Sequence, residues 1–389
     1  MIILPVEARY TEYIHNKAAR ASVPLNGTFE LTPCCNMACK MCYVRMTCQQ
    51  QQAIAPLKTA EEWLELGRIA RENGMLYLLL TGGEPFLHPQ FRQIMEGLHQ
   101  MGLIISINSN GTMIDEQTIE WLKKVPPVRI NITLYGASDE TYGRLCCNPH
   151  GFTQVTKAIR LLTEAGITVK LNCSVTPYNQ MDLPGIFDYA DKNNLRIQAT
   201  SYMFPPVRRD ESMIGQNDRF TPQEAAYQSA RIDSLFYGED AFLKRMEENA
   251  PMCITGEVGE DCPDLDIEGD GVRCRAGKCS FWITWQGQMM PCGMFPTEGA
   301  PNAFTDGFAE SWARVKALIP QIRLPKACAA CELKNECRSC AAMVYTETGK
   351  FDQVPRYRCQ MAAAYAPACR QLEQEIRAKR KEKNHEQEK

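Results

Sequence analysis

Between residues 27 and 204, short apolar runs alternate with longer segments whose apolar residues recur every three or four positions. The runs "TFELTP", "MLYLLLTGG", "LIISINSNG", "VRINITLYG", "TVKLNCSVT" and "LRIQATSYMF" are short and rich in β-branched residues, so they read as strands. The segments between them, "TAEEWLELGRIARENG", "PQFRQIMEGLHQMG", "IDEQTIEWLKKV", "TQVTKAIRLLTEAG" and "LPGIFDYADKNN", have helical periodicity, and most end on glycine or asparagine. Continuous apolar strands joined by helices predict a parallel sheet covered on both faces. Six such units favour an α/β fold of the barrel or partial-barrel type over a short doubly wound sheet.

Past this region the pattern changes. Residues 205–222, "PPVRRDESMIGQNDRFTP", are polar and bounded by proline, which suits a loop over the strand ends or a linker. A helix is expected next. Beyond it come short segments rich in Cys, Gly and Pro without a long periodic element, which predict a small metal-stapled domain. The tail from Gln371 reads as a charged helix or frayed end facing solvent. The expected division is an extension over 1–26, a barrel over 27–222, a linking helix and loop over 223–260, a cysteine-rich domain over 261–369, and a charged tail over 370–389.

The 389 residues are 44% apolar and 23% charged with net charge −3, an ordinary globular balance that argues against nucleic acid as a partner. No uncharged apolar run approaches the roughly 20 residues of a membrane span. The N-terminal "MIILPVEARYTEY" lacks a long apolar region and a cleavage site, so no membrane partner and a cytoplasmic location are expected. The anomaly is nineteen cysteines. In a reducing compartment they point to metal ligands before disulfides, and they crowd at 34–48 and 253–369.

Chemistry in parallel α/β folds sits where strands end. Four motifs occupy such places: Cys35-x3-Cys39-x2-Cys42 after the first strand, Gly82-Gly83-Glu84-Pro85 after the second, Asn108-Ser109-Asn110-Gly111 after the third, and Thr133 to Gly136 at the end of the fourth. Three thiolates on a tight loop can bind three irons of a cubane and leave the fourth iron open. Downstream lie Cys274-x4-Cys279, Gly287-x4-Cys292, Cys328-x2-Cys331-x5-Cys337-x2-Cys340 and Cys359. Standing alone, the run from 328 to 340 also suits a four-cysteine zinc site.

Together these motifs resemble the radical S-adenosylmethionine superfamily, whose fold is a partial (β/α)6 barrel. The resemblance implies a [4Fe-4S] cluster on Cys35, Cys39 and Cys42, with S-adenosylmethionine chelated at the open iron. Gly82, Gly83, Glu84 and Pro85 match the family's GGEP, where bare backbone approaches the methionine ammonium and a carboxylate lies nearby. Asn108, Ser109 and Asn110 resemble the segment lining the ribose, and Met41 takes the place of a frequent aromatic residue beside the adenine. Thr133 and Arg144 match positions that hold the methionine carboxylate, a role suited to the two-pronged guanidinium.

The cysteine-rich region resembles the SPASM extension, which carries two auxiliary [4Fe-4S] clusters and brings the total to three. By position, Cys274, Cys279, Cys292 and Cys340 would hold the first. Cys328, Cys331, Cys337 and Cys359 would hold the second, with Cys369 as the substitute for Cys359. Two residues separate Cys337 from Cys340 where the family usually has three. Cys34, Cys48, Cys146, Cys147, Cys253 and Cys262 are left without a ligand role. Cys173 is placed facing the presumed cavity and His88 at a helix start.

The function implied is an enzyme that cleaves S-adenosylmethionine to a 5′-deoxyadenosyl radical, which abstracts hydrogen from a substrate. Enzymes with this domain pairing mostly crosslink, oxidise or epimerise residues of peptides or proteins, or form thioethers in them. The alternative is an oxidoreductase acting on a small molecule. About 26 residues precede the first strand, too few for the leader-binding domain of many peptide-modifying relatives, which weakens the peptide reading. An electron donor such as flavodoxin or ferredoxin is implied. A ferredoxin-like carrier would explain the clusters but not GGEP or Arg144.

Overall fold

The structure is a computed structural model that describes residues 9–248 and 271–387. Each of the six apolar runs forms a strand: β1 Asn26–Glu30, β2 Tyr77–Thr81, β3 Ile104–Ser109, β4 Arg129–Thr133, β5 Val169–Ser174 and β6 Arg196–Thr200. They pair in parallel, each beside its predecessor. With that order, right-handed crossovers place every intervening helix on the same face. The expectation of a sheet covered on both faces is therefore corrected. The helices Ala60–Glu72, Phe91–Gln100, Glu116–Leu122, Gly151–Glu164 and Leu183–Lys192 form one outer layer, and the other face of the sheet turns inward as a partial barrel.

Side chains follow from that geometry. Ile105, Ile107, Ile130, Ile132, Leu171 and Ile197 are buried on the helix side. The alternate positions carry Ser106, Asn108, Asn131, Lys170, Asn172 and Gln198 on the inner face. There Asn131 Nδ2 donates to Asn108 Oδ1 at 2.8 Å and Lys170 Nζ to Gln198 Oε1 at 2.8 Å. Only β2 reads as a near-continuous apolar run; β3 to β5 alternate. Cys173 shares the face of Leu171, so it packs towards the helices and not into the cavity, and burial pushes its thiol up to about 12.

The cysteine-rich segment extends the same sheet. β7 Ser280–Ile283 pairs in parallel with β1, and β8 Met289–Met290 runs antiparallel to β7. Val272, Met290, Phe295, Ile319, Ile322 and Val344 form a second, smaller core beneath it.

The expected helix after residue 222 is broken at Gly238, φ +86°, into Pro222–Tyr237 and Glu239–Glu247. The C-terminal expectation needs a larger correction. A 32-residue helix, Arg356–Gln387, runs from before Cys359 through the charged tail. It packs along Pro222–Tyr237, with Met361, Tyr365, Ala368, Leu372 and Ile376 buried at helical spacing. Tyr227 Oη donates to Glu375 at 2.5 Å, and Arg377 and Arg380 reach Glu247 and Asp240 at 2.8 and 2.7 Å. Among the described residues no helix is long and apolar enough to cross a membrane.

Candidate active site at the sheet rim

The cysteine loop leaves β1 pressed against the loop after β2. Gly83 N–H donates to Thr32 O at 2.7 Å and Glu84 N–H to Cys34 O at 2.8 Å. A Cβ on Gly82 would meet Thr32 O at 2.3 Å, and one on Gly83 would meet Cys34 O at 2.3 Å. The bareness of these glycines thus serves the approach of two backbone loops.

Glu84 is fully buried and joins that pair to the third loop. It accepts from Ser109 Oγ at 2.9 Å, from Asn110 N–H at 2.7 Å and, as the cap of the short turn beginning at Pro85, from Phe86 N–H at 3.3 Å. Burial pushes its carboxyl up to about 7, against the pull of these donors. Asn110 carries the chain of contacts back to the cysteines, donating to Asn36 Oδ1 at 2.8 Å and to Cys35 Sγ at 3.6 Å.

The remaining predicted cofactor residues are spread around this rim. Asn108 is held by Asn131 on the inner face. The Thr133 carbonyl accepts from Tyr142 Oη at 3.4 Å. Arg144 is half exposed, contacting Thr141 Oγ1 and Tyr178 O at 3.2 Å each and Glu140 at 3.5 Å. Met41 lies in the main core. His88 is buried and structural, its ring bonded to Lys58 O and Gln90 N–H.

Cys35, Cys39 and Cys42 come together on the loop, close enough for their charges to interact. Met37 N–H and Arg45 N–H each donate to a sulfur, Cys35 and Cys42 respectively, at 3.4 Å. Burial pushes the Cys35 thiol up to about 12. Cys39 behaves differently: a hydrogen bond from Cys146 holds it below the ordinary thiol value. Cys146, set aside in the sequence reading, is buried at the end of helix Asp139–Cys146, where its carbonyl accepts from Ala38 N–H at 2.8 Å.

Two arginines of the loop over the rim were also missed. Arg209 Nη1 donates to Cys42 O at 2.7 Å. Arg208 donates to both oxygens of Glu30 and to Gly293 O, and it stands 5.8 Å from the Tyr43 ring. No local spacing could have marked either, since each contact joins segments far apart in sequence.

In the C-terminal region, Cys274, Cys292 and Cys340 pack on the smaller core. Burial pushes Cys292 up to about 12, with Cys340 and Cys274 adding to it. Cys279, the fourth expected member, lies like Cys274 close enough to Lys278 for their charges to interact. It is buried with Ala18 and Leu25 in a separate apolar cluster. It immediately precedes β7, on which the Trp282 ring lies against Gly293.

Cys328, Cys331, Cys337 and Cys359 are brought together, and burial followed by Cys359, Cys337 and Cys331 pushes Cys328 up. Cys369 is not with them; it is buried beside Tyr365, whose hydroxyl bonds Asp233. Cys253 and Cys262 lie outside the described residues.

Among the described residues no three Cys, His, Asp or Glu side chains converge closely enough to hold a single metal ion. A cubane spans more than one ion does, so the fit rests on the donor set. Grouped thiols that receive backbone and amide N–H donors are the environment in which cluster thiolates are found.

Comparison with known proteins adds three likenesses. The chain is 24% identical over 347 residues to the AdoMet-dependent heme synthase of Methanosarcina barkeri, spanning 86% of this chain and 95% of that protein. It is 27% identical over 290 residues to the antilisterial bacteriocin subtilosin biosynthesis protein AlbA of Bacillus subtilis, spanning 74% of this chain and 59% of that one. The structure of Streptococcus suis SuiB bound to precursor peptide SuiA matches with a TM-score of 0.64 at 16% identity, covering 90% of this chain and 80% of SuiB, a likeness of fold. Residues 29–190, from β1 to the helix before β6, match the radical SAM superfamily model. Within that match the rim cysteine loop stands on a parallel half-barrel, so residues 29–190 form a radical SAM domain, and the C-terminal cysteine-rich region fits the SPASM extension.

Proposed function

We propose that this enzyme cleaves S-adenosylmethionine at a cluster held by Cys35, Cys39 and Cys42 and abstracts hydrogen from a peptide side chain. The observation that carries the reading is the buried carboxylate of Glu84, which locks the GGEP loop to the Asn108–Gly111 loop beside those cysteines. When bound, the cluster supplies one electron that splits S-adenosylmethionine into methionine and a 5′-deoxyadenosyl radical.

The chain's own residues do the rest. Asn110 and the Met37 and Arg45 amides hold the sulfurs in place. Thr133 and Arg144 sit at the rim where a methionine carboxylate is to be held. Glu84 presents its charge from beneath, with three donors fixing its orientation. Arg208 and Arg209 tie the loop of residues 205–222 over the rim, which limits the access of water to the radical. Cys274, Cys279, Cys292 and Cys340, and separately Cys328, Cys331, Cys337 and Cys359, are assigned to two auxiliary clusters fed by an electron donor such as flavodoxin or ferredoxin.

A peptide substrate is supported by AlbA, named for bacteriocin biosynthesis, and by SuiB, seen with its precursor peptide. The heme synthase likeness favours a second reading, a small-molecule substrate. Anaerobic reconstitution followed by iron and sulfide analysis tests the cofactors; about twelve irons per chain are expected. Incubation with dithionite, S-adenosylmethionine and a short peptide encoded beside the gene tests the reaction. A mass change in the peptide together with 5′-deoxyadenosine is expected. 5′-Deoxyadenosine formation stimulated by a porphyrin precursor and not by the peptide would select the second reading.

A further inference from the structure

We propose that the recess between the cysteine loop and the β7–β8 turn anchors an acidic side chain of the peptide substrate, with its carboxylate held by Arg209. This rests on the reading of the chain as a peptide-modifying enzyme and adds the chemistry of the peptide.

The recess, ≈350 Å³ and open to solvent, lies at the sheet rim where three segments meet. Tyr43 and Met46 of the cysteine loop form one wall and Arg208 and Arg209 of the loop over the rim a second. Gln286 and Gln288 of the β7–β8 turn form the third. Arg209 Nη1 donates to Cys42 O at 2.7 Å, so a group held in the recess lies against the cysteine loop itself. A space of this size takes one long side chain before a large ring system.

The polar lining offers mainly donors. Glu30 is the one acid among the described residues that line the recess, and its oxygens are taken by Arg208 and by Trp282 Nε1. Gln288 Oε1 accepts from Thr284 Oγ1 at 2.6 Å, which leaves Nε2 as the end of that amide able to donate to a ligand. Arg208 uses its Nη atoms on Glu30 and Gly293 O, and its Nε is buried without a partner. Arg208 balances Glu30 in charge, so the surplus charge of the lining is that of the exposed Arg209. A carboxylate answers both features, because it is negative and only accepts. A neutral amide meets the donors without the charge, and an ammonium group meets neither.

The test uses the full-length reconstituted enzyme and two blocked tripeptides, acetyl-Ala-Glu-Ala-amide and acetyl-Ala-Gln-Ala-amide, with binding read by saturation-transfer NMR. The glutamate peptide should bind about tenfold more tightly to wild type, and added salt should shrink the difference. Charge variants of Gln286, which has no part in holding the cysteine loop, locate the site. Gln286→Glu should abolish the preference and Gln286→Lys should enlarge it. Iron content and 5′-deoxyadenosine formation under dithionite should stay at wild-type values in both. Equal binding of the two peptides to wild type overturns the inference, as does a preference that neither Gln286 variant moves. Either result leaves the enzyme reading standing wherever 5′-deoxyadenosine is formed. Loaded wild type that forms no 5′-deoxyadenosine overturns the enzyme reading, and this inference with it.

Discussion

The guanidinium of Arg208 meets the carboxylate of Glu30 through two contacts of 3.0 Å, with both side chains almost wholly removed from water. Glu30 ends β1, where the cysteine loop begins, and it also accepts from Trp282 Nε1 of β7 at 3.0 Å. One buried pair thus joins the barrel, the loop over its rim and the cysteine-rich region. Removing one partner strands the other charge, so Arg208→Ala should lower stability by about 3–5 kcal/mol. The double change Glu30→Gln with Arg208→Met, which keeps an acceptor for Trp282, should recover most of that loss. Urea unfolding of the three proteins measures both, and equal stability of the single and double variants would refute the stranded-charge account.

Glu84 makes stability depend on pH in a defined direction. Its carboxyl is raised from 4.5 to about 7, so the folded state holds the proton more tightly than the unfolded state. The contribution is complete below about 4.5 and is lost as pH climbs through about 7. A shift of that size corresponds to roughly 3 kcal/mol. Wild type should therefore lose stability relative to Glu84→Gln between pH 5 and 8. Parallel unfolding curves for the two across that range would show that the hydrogen bonds to Ser109 and Asn110, and not burial, govern this group.

The sequence made the six strands and the placing of motifs at their ends legible, because strand length and helical period are local properties. Helix coverage on one face was not local: it follows from the neighbour order of the strands, which no single run reveals. The start of the C-terminal helix, ahead of Gln371, escaped detection for another reason. Its buried stripe is built from Met361, Tyr365, Ala368 and Cys369, in a segment whose cysteines drew attention to metal before periodicity. At the site, the C-x3-C-x2-C loop was readable from spacing alone. Cys146 and Arg208 were not, since they reach the loop through helix Asp139–Cys146 and a long irregular segment.

Loss of the N-terminal cluster should silence the chemistry and spare the rest. Replacing Cys35, Cys39 and Cys42 together with alanine should abolish 5′-deoxyadenosine formation under dithionite and lower the iron count from about twelve to about eight. Residual 5′-deoxyadenosine from the triple variant would place the open iron elsewhere.

Arg144 offers a finer test of cofactor binding. Its side chain is half exposed and held only by Thr141, Tyr178 O and Glu140, so it is free to turn towards a carboxylate at the rim. Arg144→Ala should weaken S-adenosylmethionine binding by about 1–3 kcal/mol with little effect on stability. Calorimetry that found wild-type affinity in this variant would assign the methionine carboxylate to another residue.

The group of Cys328, Cys331, Cys337 and Cys359 sits on a short stretch with little apolar support of its own. Residues 326–340 consist of two four-residue helices and connecting turns, with Cys331 exposed. The flanking parts are better held: β7 and β8 belong to the main sheet, the smaller core closes over Ile322 and Val344, and helix Arg356–Gln387 packs along Pro222–Tyr237. Metal binding and folding should therefore be coupled over this short stretch and not over the whole region beyond residue 261. Cys328→Ala with Cys331→Ala is expected to remove about four irons and open residues 326–340 to protease, while fragments containing β7 and the C-terminal helix persist. The N-terminal cluster should still cleave S-adenosylmethionine, slowly and without matching product. Limited proteolysis followed by mass mapping decides the matter: cleavage spread evenly from β7 to the C-terminus would show that this cluster organises the entire region, and an unchanged digest would show that these thiols hold nothing the fold depends on.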